Sequence, residues 1–394
     1  MSTSRYEDER RNNTRPRPNN RANSAAARRK KKKQQRRRTF LIIEIVIVVV
    51  LLLVLGLWMK FGRANWDNSI NMADIEVNEL DEETKEILKN YTTIAMFGVD
   101  NRTNGNYSSG NSDSVMIVSI NNDTKEVNVV SLMRDTYLNV DEEGSYRKCN
   151  YAYNHGGAEQ AISMMNRNLD LNISGYVAVD FYALAKIVDQ LGGLEVEITQ
   201  AMVDATNPET GGPALAGYIA EVQTVIGKVD ESKWYLQPGV QTLDGAQIVG
   251  YCRQRYCGGD DYGRTERQRE VVKKIVEKVV NSKASTVNNI IDDVLPDIST
   301  SLSPSQVLSM ATSAGDYKIE ATSGFPFNLT TGTYGNKGSL VVPCTLEDNV
   351  IELHKFLYDQ DDYDTTETVD EISKKIQNDT GTSAESATVT QAND

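Results

Sequence analysis

Five arginine side chains lie within residues 251–270, YCRQRYCGGDDYGRTERQRE, although the chain as a whole is acidic. The five are Arg253, Arg255, Arg264, Arg267 and Arg269. The 394 residues include 42 basic and 55 acidic side chains, which gives a net charge of −13. Guanidinium groups crowded together repel one another unless a negative charge lies between them. The stretch therefore predicts a partner of opposite charge.

A helix predicted over residues 265–280 turns one of these arginines inward. The sequence TERQREVVKKIVEKVV has apolar residues at the spacing of a helix with one buried stripe. At about 100° per residue, Arg264 and Gln268 fall inside the apolar sector of this helix. The charged side chains outside the sector are Lys273, Lys274 and Glu277. The pattern predicts that a guanidinium and an amide face the protein interior at the helix start.

A multiply charged anion explains this arrangement best. Arg253 and Arg255 precede the glycine-rich turn CGGDDYG, which leads to the start of the same helix. A helix N terminus offers N–H groups and the positive end of the helix dipole. Arginine binds phosphate oxygens through two parallel hydrogen bonds. We predict a phosphate or pyrophosphate here; the alternative is that Arg264 pairs with a structural carboxylate, Asp260 or Asp261.

Two carboxylates and another arginine are predicted to meet at one edge of a sheet. Three runs rich in β-branched residues predict strands, at 91–99, 114–120 and 126–132. If neighbouring strands are antiparallel, Asp100, Asp113 and Arg134 share an edge. Two carboxylates facing a phosphate suit Mg²⁺, or Mn²⁺ as the alternative ion, which takes its other ligands from water and phosphate oxygens. Each aspartate alone is also an ordinary turn residue.

The remaining pattern predicts an α/β fold. Strand-like and helix-like segments alternate after residue 147, which is typical of a mixed layered domain with a central, largely antiparallel or mixed sheet. We place this domain at residues 91–360. A polar stem is predicted at 60–90 and a disordered acidic tail at 361–394, because both are poor in apolar residues. Residues 200–240 have no clear pattern and are interpreted as an insertion.

The N terminus predicts a membrane anchor. Residues 1–38 carry 15 basic and three acidic side chains, a net of +12, so the other residues carry −25. The following segment, 39–59, contains a single charge, Glu44, and is long enough to cross a bilayer core of about 30 Å. Basic residues before a span stay in the cytoplasm. We predict a disordered cytoplasmic tail, one transmembrane signal anchor and an extracytoplasmic domain at the cell membrane.

Two alternatives to the anchor interpretation are weaker. A cleaved signal peptide has a shorter apolar region of about 7–15 residues. A nucleic-acid-binding arm is not supported, because the basic run directly precedes the apolar segment, where it fixes topology and contacts anionic lipid. We therefore predict no nucleic-acid partner.

Four cysteines are present, Cys149, Cys252, Cys257 and Cys344. The lack of a CxxC motif and the presence of only two histidines argue against a zinc site. Disulfides are permitted outside the cytoplasm. Cys252 and Cys257 are close enough in sequence to pair, but the connectivity stays open.

Seven segments, taken in order, resemble the LytR-CpsA-Psr phosphotransferases of bacterial cell walls. They are FGVDNR (97–102), NSDSVMIVSI (111–120), VVSLMRDTY (129–137), RKCNYAYNHGG (147–157), VDFYALAKIVDQLGGLEVEI (179–198), LDGAQIVGYCRQR (243–255) and DYGRTERQR (261–269). The resemblance implies a hydrophobic pocket for a polyprenyl chain, with a pyrophosphate at its mouth. It implies metal binding by Asp100 and Asp113. The catalytic positions that it implies are Arg134, Asp135, Arg253, Arg255 and Arg264, and Asp135 would orient an arginine. The implied pyrophosphate-binding residues are Lys148, Arg267 and Gln268.

The reaction implied by the resemblance is a phosphotransfer. A glycopolymer (teichoic acid, capsule or another wall polysaccharide) would pass from undecaprenyl pyrophosphate to peptidoglycan and form a phosphodiester. The alternatives are a lipid pyrophosphate hydrolase and a non-catalytic anchored receptor for polyprenyl-phosphate lipid or anionic polysaccharide. The carboxylates Asp100 and Asp113 favour an enzyme, because a receptor needs the arginines but not a pair of metal-binding carboxylates, whereas phosphoryl transfer uses a metal ion to neutralise charge.

Overall fold

The computed structural model describes residues 65–391, apart from 68, 101–106, 108–109, 258–259, 284–285, 287–288, 291–292, 295–296, 304, 307–308 and 310–315. The predicted cytoplasmic tail (1–38) and signal anchor (39–59) lie outside the described residues. Within the described part, no helix is both long and apolar enough to cross a membrane.

The chain alternates between strands and helices. The strands are β1 (Asn65–Trp66), β2 (Tyr91–Asp100), β3 (Asn111–Asn121), β4 (Glu126–Leu132), β5 (Tyr137–Asn139), β6 (Tyr146–Lys148), β7 (Gly175–Asp180), β8 (Leu194–Ile198), β9 (Gly239–Leu243), β10 (Ile298–Thr300), β11 (Lys318–Phe325), β12 (Asn328–Thr333), β13 (Ser339–Pro343) and β14 (Val389–Thr390). The helices are α1 (Glu82–Leu88), α2 (Asn150–Leu169), α3 (Phe181–Gln190), α4 (Gln200–Asp204), α5 (Ala214–Ile226), α6 (Gly245–Arg253), α7 (Asp260–Val280), α8 (Leu346–Tyr358) and α9 (Glu367–Thr380).

A seven-stranded mixed sheet forms the centre of the domain. Its strand order is β1-β10-β7-β2-β3-β4-β11. Strands β2, β3 and β4 are antiparallel neighbours, whereas β7 runs parallel to β2 and β11 runs parallel to β4. This confirms the predicted mixed α/β class and the three predicted strands. It also confirms the antiparallel pairing on which the shared edge of Asp100, Asp113 and Arg134 depends.

Both faces of the sheet are covered by apolar side chains. Alternate residues of a strand point to opposite faces; on β2, Phe97 packs in the larger core with α2 and α8, whereas Ile94 packs in a smaller cluster on the other side. Val272 of α7 joins that smaller cluster. Helices α3, α6 and α7 therefore cover the face on which the arginine stretch lies.

Helix α6 is held closely between α3 and α5 by two glycines. A Cβ atom on Gly245 would lie 2.2 Å from the carbonyl oxygen of Ala185 in α3. A Cβ atom on Gly250 would lie 2.7 Å from Cγ1 of Ile219 in α5. No larger residue fits at either position without moving a neighbouring helix. Helix α5 belongs to the segment 200–240, which is thus a structured part of the domain.

The predicted boundaries of the stem and the tail are wrong. Three apolar residues of the stem, Ile75, Leu80 and Leu88, are buried in the main core. In the segment 361–394, helix α9 buries Val369, Ile372 and Ile376 in the same core, and β14 pairs with β12. The spacing i, i+3, i+7 gives α9 one apolar stripe. That stripe is sufficient to hold the helix although the segment is mostly polar and acidic.

Candidate active site

Asp113 occupies a β-bulge at the sheet edge. In the β2–β3 ladder, Gly98 pairs with Ser114 and Val99 pairs with Ser112, so Asp113 is the extra residue between them. Bulges redirect a side chain out of the regular alternation and are frequent beside active sites. This bulge directs the carboxylate of Asp113 to the wall of a cavity.

Arg134, which follows the end of β4, lies at the same edge of the sheet as Asp113. Its Nη1 donates a hydrogen bond of 2.5 Å to Oδ1 of Asp113, and both side chains are mostly buried. Asp135 follows in the chain, with Oδ1 lying 3.3 Å from Nζ of Lys148 and 3.8 Å from Nε of Arg134. The four charges thus form a continuous row along the edge. Lys148 takes its place in this row through Asp135.

Arg253, the last residue of α6, is held from several sides. Its Nη1 lies 3.0 Å from a carboxylate oxygen of Glu221, and its Nη2 lies 3.9 Å from Oδ2 of Asp100. The guanidinium carbon lies 4.9 Å from the ring centre of Phe181 and 5.4 Å from that of Tyr218. Such cation–π contacts add to the ion pairs. Glu221 and Tyr218 were not predicted, because they belong to the segment 200–240, where the sequence shows no chemical pattern.

An apolar cavity lies beneath these charges. It encloses about 790 Å³, a volume that includes the part open to solvent. Its walls come from β2, β3, β7, α3, α6 and α7. The apolar lining includes Met96, Met116, Leu184, Val249 and Val272. The polar lining includes Asp113, Arg253, Arg255, Arg264 and Gln268.

Two of the predicted residues on helix α7, Arg264 and Gln268, line the cavity, whereas the third, Arg267, does not. Arg264 is 2 % exposed and Gln268 donates from Nε2 to the carbonyl of Cys252 over 3.3 Å, which confirms the predicted inward direction of both. Arg267 does not line the cavity. It donates instead to the carbonyls of Tyr251 and Gln254, at the end of α6.

The different direction of Arg267 has a geometric reason. Three residues after Arg264, it is rotated by about −60° on the helix and so leaves the inward sector. Its guanidinium then meets the last carbonyls of α6, which have no partner within their own helix. Arg267 therefore holds α6 and α7 together. Arg269 does not line the cavity either.

Asp180 is a further residue of the cavity wall that the sequence analysis did not single out. It ends β7, and its Oδ1 accepts a hydrogen bond of 2.8 Å from the backbone N–H of Ala183, which caps α3. Its side chain is buried, and it pairs in register with Val99 of β2. An aspartate between a strand pattern and a helix pattern is a typical N-cap. The sequence pattern therefore identifies Asp180 as an N-cap, but it does not show that this residue lies at the cavity.

The cysteines are all free thiols, so Cys252 and Cys257 do not form a disulfide. Cys252 lines the cavity. Burial raises the pKa of its thiol to about 12, so it stays protonated and uncharged at neutral pH. Its place in the cavity wall is consistent with apolar packing rather than with nucleophilic chemistry.

The donor atoms at the edge fit a hard divalent cation. Within the described part of the chain, no group of three or more histidine, cysteine or carboxylate side chains forms a metal cage. Asp100 and Asp113 supply two oxygen donors, each beside an arginine. Mg²⁺ commonly takes one or two carboxylates and completes its shell with water and phosphate oxygens. The pair therefore suits a metal that arrives with a phosphate-bearing ligand.

An apolar cavity with guanidinium groups in its wall suits an amphiphile with a phosphate head group. A family model described as the LytR_cpsA_psr family matches residues 65–342. The chain belongs to the LytR_cpsA_psr family.

Curated relatives within the LytR_cpsA_psr family are named as teichoic acid transferases. The polyisoprenyl-teichoic acid–peptidoglycan teichoic acid transferase TagU of Enterococcus faecalis is 30% identical over 212 residues, which cover 53% of this chain and 61% of that protein. The corresponding enzyme TagV of Bacillus subtilis is 27% identical over 217 residues, covering 52% and 50%. The matched region thus spans about half to three fifths of these relatives.

Solved structures share the fold of this LytR_cpsA_psr protein. A Streptococcus agalactiae protein from structural genomics is 25% identical, with a TM-score of 0.57, and the match covers 73% of this chain and 94% of that one. TagV of Bacillus subtilis has a TM-score of 0.53 at 20% identity, covering 70% and 99%.

Proposed function

We propose that this LytR_cpsA_psr protein transfers a glycopolymer from a polyprenyl pyrophosphate carrier to peptidoglycan. The observation that carries the proposal is the apolar cavity with Arg253, Arg255 and Arg264 in its wall. An apolar tail and a doubly charged head group are the two halves of a polyprenyl pyrophosphate. The relatives TagU and TagV are named as enzymes that transfer teichoic acid from a polyisoprenyl carrier to peptidoglycan, which supports the proposal.

The proposed chemistry is an in-line displacement at phosphorus. A hydroxyl oxygen of the acceptor forms a bond to the phosphorus next to the polymer sugar. The bond from that phosphorus to the bridging oxygen breaks, and polyprenyl phosphate leaves with the electron pair. The hydroxyl proton passes to a base at the site. Charge neutralisation and positioning provide most of the catalysis in such reactions.

The arginines have distinct parts in this scheme. Arg264 is buried and Arg255 also lines the cavity, so both are suited to contact the pyrophosphate oxygens. Arg253 is positioned by Glu221 and by the rings of Phe181 and Tyr218. Fixed donors in a partly desolvated site stabilise developing charge more strongly than water does.

Asp100 and Asp113 are the residues that would hold Mg²⁺ or Mn²⁺. A bound divalent ion would supply further neutralisation of the pyrophosphate charge. Arg134 keeps Asp113 in place on the side of β4.

The proposed location is the outer side of the cell membrane, with residues 39–59 as a single-pass anchor. Reporter fusions after Lys60 test this arrangement. An extracytoplasmic reporter signal supports it, whereas a cytoplasmic signal contradicts the peptidoglycan acceptor as well as the topology.

A reconstitution of the full-length chain tests the reaction. Polyprenyl pyrophosphate carrying a teichoic acid unit is incubated with peptidoglycan and Mg²⁺, and both products are measured. Transfer predicts equal amounts of polyprenyl phosphate and polymer-linked peptidoglycan. Release of polyprenyl phosphate without linked polymer identifies a hydrolase instead. Tight binding with no product identifies a receptor.

A further inference from the structure

A second cavity lies beside the candidate active site and has a different chemistry. It is formed by the β5–β6 hairpin, the start of α2 and the turn between β12 and β13, and encloses about 1190 Å³ including space open to solvent. Its lining includes three tyrosines, three asparagines and three cations, with no carboxylate among the described residues that line it. We call this cavity the side groove.

The side groove adjoins the active site at two positions. Asn111 lines it and lies two residues before Asp113 on β3. Lys148 also lines it and lies 3.3 Å from Asp135, which belongs to the row of charges ending at Asp113. A ligand in the side groove would therefore reach toward the phosphate-binding region.

Tyrosine rings contact two of the three cations of the side groove. The guanidinium carbon of Arg147 lies 4.8 Å from the ring centre of Tyr151. Nζ of Lys337 lies 4.7 Å from the ring centre of Tyr137. Long basic side chains in solvent lose rotamer entropy when they bind a ligand. Cations that already rest on rings lose less of it, which favours binding.

The C-terminal helix completes this arrangement. Asp379 of α9 accepts a hydrogen bond of 2.8 Å from the hydroxyl of Tyr137 and lies 3.1 Å from Nζ of Lys337. It also pairs with Lys375, whose Nζ lies 5.4 Å from the ring centre of Tyr146. These contacts come from residues after 342, beyond the part that matches the family model. The helix predicted as part of a disordered tail thus positions Lys337, one of the three cations of the groove.

We propose that the side groove binds a saccharide that carries carboxylate or phosphate groups. The inference rests on the proposed function, because two reaction partners have this chemistry: the peptidoglycan acceptor, with carboxylates, and the leading end of the donor polymer, with phosphates. Arg147, Lys148 and Lys337 match the negative charges. Amide side chains such as those of Asn111 and Asn336 hydrogen-bond hydroxyl and N-acetyl groups, as both donors and acceptors.

Binding of three probes to the full-length chain in detergent tests the inference. The probes are a carboxylated tetrasaccharide of alternating N-acetylglucosamine and N-acetylmuramic acid, a glycerol phosphate oligomer, and neutral chitotetraose. We expect at least one anionic probe to bind about tenfold or more tightly than chitotetraose, which corresponds to one or two charge-assisted contacts. Equal affinity for all three probes, or no binding of any, would overturn the proposal.

A double variant locates the binding. Arg147→Gln combined with Lys337→Gln removes two groove cations. We expect this double variant to bind the anionic probe about tenfold or more weakly than the wild type does. The matched control combines Lys318→Gln with Lys355→Gln, which removes two exposed cations that pair with Glu320 and Asp361. Because Lys337 contacts the buried Tyr137, Arg147→Gln alone is measured as well. An unchanged affinity in the folded variants, or an equal loss in the control, would overturn the proposal.

Kinetics then distinguish the two sources of the saccharide. If the acceptor occupies the groove, the double variant raises the KM for peptidoglycan and leaves the KM for the lipid donor unchanged. The opposite pattern identifies the donor polymer. A melt with geranylgeranyl pyrophosphate reports the lipid cavity separately. If groove binding is absent but geranylgeranyl pyrophosphate still raises the melting temperature, only this inference is contradicted. If the lipid does not raise the melting temperature of the wild type, the proposed function is contradicted.

Discussion

Arg134 and Asp113 join the ends of two antiparallel strands through a hydrogen bond of 2.5 Å between Nη1 and Oδ1. The bond needs both the bulge in β3, which re-aims Asp113, and the turn after β4, which carries Arg134. It fixes one carboxylate at the wall of the apolar cavity. The proposed chemistry depends on this carboxylate.

Asp113→Asn removes the negative charge while keeping the side-chain size. We expect it to reduce transfer by about 10²–10³-fold, because a charged group aimed at the reacting phosphate is lost. We also expect saturation to require more Mg²⁺. Initial rates over a Mg²⁺ series measure both effects. Asp123→Asn, at an exposed turn, is the control; full activity of Asp113→Asn at low Mg²⁺ would contradict the metal assignment.

Arg264→Ala and Arg267→Ala form a second comparison. Arg264 lines the cavity, so we expect its variant to lose most of the thermal stabilisation that geranylgeranyl pyrophosphate gives the wild type by binding the native state. Arg267 bonds two carbonyls of α6. Its variant should lower the melting temperature without ligand and keep the ligand shift, because buried carbonyls lose their donors.

Thermal melts with and without the lipid mimic separate these outcomes. If Arg264→Ala keeps the full ligand shift, the guanidinium of Arg264 does not contact the head group. If Arg267→Ala loses the shift at unchanged stability, the two residues have been assigned to the wrong roles.

Glu221→Gln tests the positioning of Arg253. The ion pair of 3.0 Å is partly exposed, so we expect the free energy of unfolding to change by less than about 1 kcal/mol. Transfer should fall about tenfold, because Arg253 loses one of its fixed contacts. Steady-state rates and urea unfolding measure the two effects. Glu209→Gln, exposed in the same segment 200–240, should change neither.

The directions of Arg264 and Gln268 could be predicted because helical periodicity is a local property of the sequence. The shared edge of Asp100, Asp113 and Arg134 could also be predicted, because only the antiparallel pairing of three short strands was needed. The pairing of Glu221 with Arg253 could not. It joins residues 32 positions apart through the packing of α5 on α6, and no local pattern encodes that packing.

The C-terminal helix shows a different limit. The composition of residues 361–394 predicts disorder, because acidic and hydroxyl side chains dominate it. The burial of three apolar residues on one face of the helix stabilises it in spite of that composition, because the core offers a complementary apolar surface. The surface comes from α2 and α8, so its existence depends on the tertiary fold.

Ile376→Ala tests whether α9 is a structural part of the domain. Ile376 is fully buried, and removing a buried isoleucine side chain typically costs 2–5 kcal/mol. We expect a loss of about that size in the free energy of unfolding, measured by urea titration. Lys374→Ala, on the exposed face of the same helix, should leave it nearly unchanged. Equal stability of the two variants would mean that α9 contributes little to the fold.

His354 gives the fold a defined pH dependence. Burial lowers its pKa from 6.5 to about 4. Between these values the unfolded chain binds a proton that the folded protein excludes, so stability from this group is present above pH 6.5 and is lost as the pH falls toward 4. The adjacent carboxylate of Asp170 favours the protonated imidazole and opposes the effect of burial.

The measurement is urea unfolding at a series of pH values from 7.5 to 4.5. We expect the wild type to lose stability more steeply than His354→Gln, since the other titrating groups are common to both proteins. Identical slopes would show that His354 titrates normally in the folded state.

Gly245 and Gly250 bring α6 so close to α3 and α5 that neither position has room for a Cβ atom. Closely fitted surfaces of this kind do not slide past one another without steric overlap. The three helices consequently behave as one rigid wall. If the proposed lipid occupies the cavity, room for a longer tail has to come from parting this wall, together with α7, from the sheet, because Arg267 joins α7 to α6. Because Arg253 ends α6 and Glu221 lies on α5, the guanidinium moves with the wall, and the length of the proposed lipid tail is thereby coupled to the position of a cation that we propose binds phosphate.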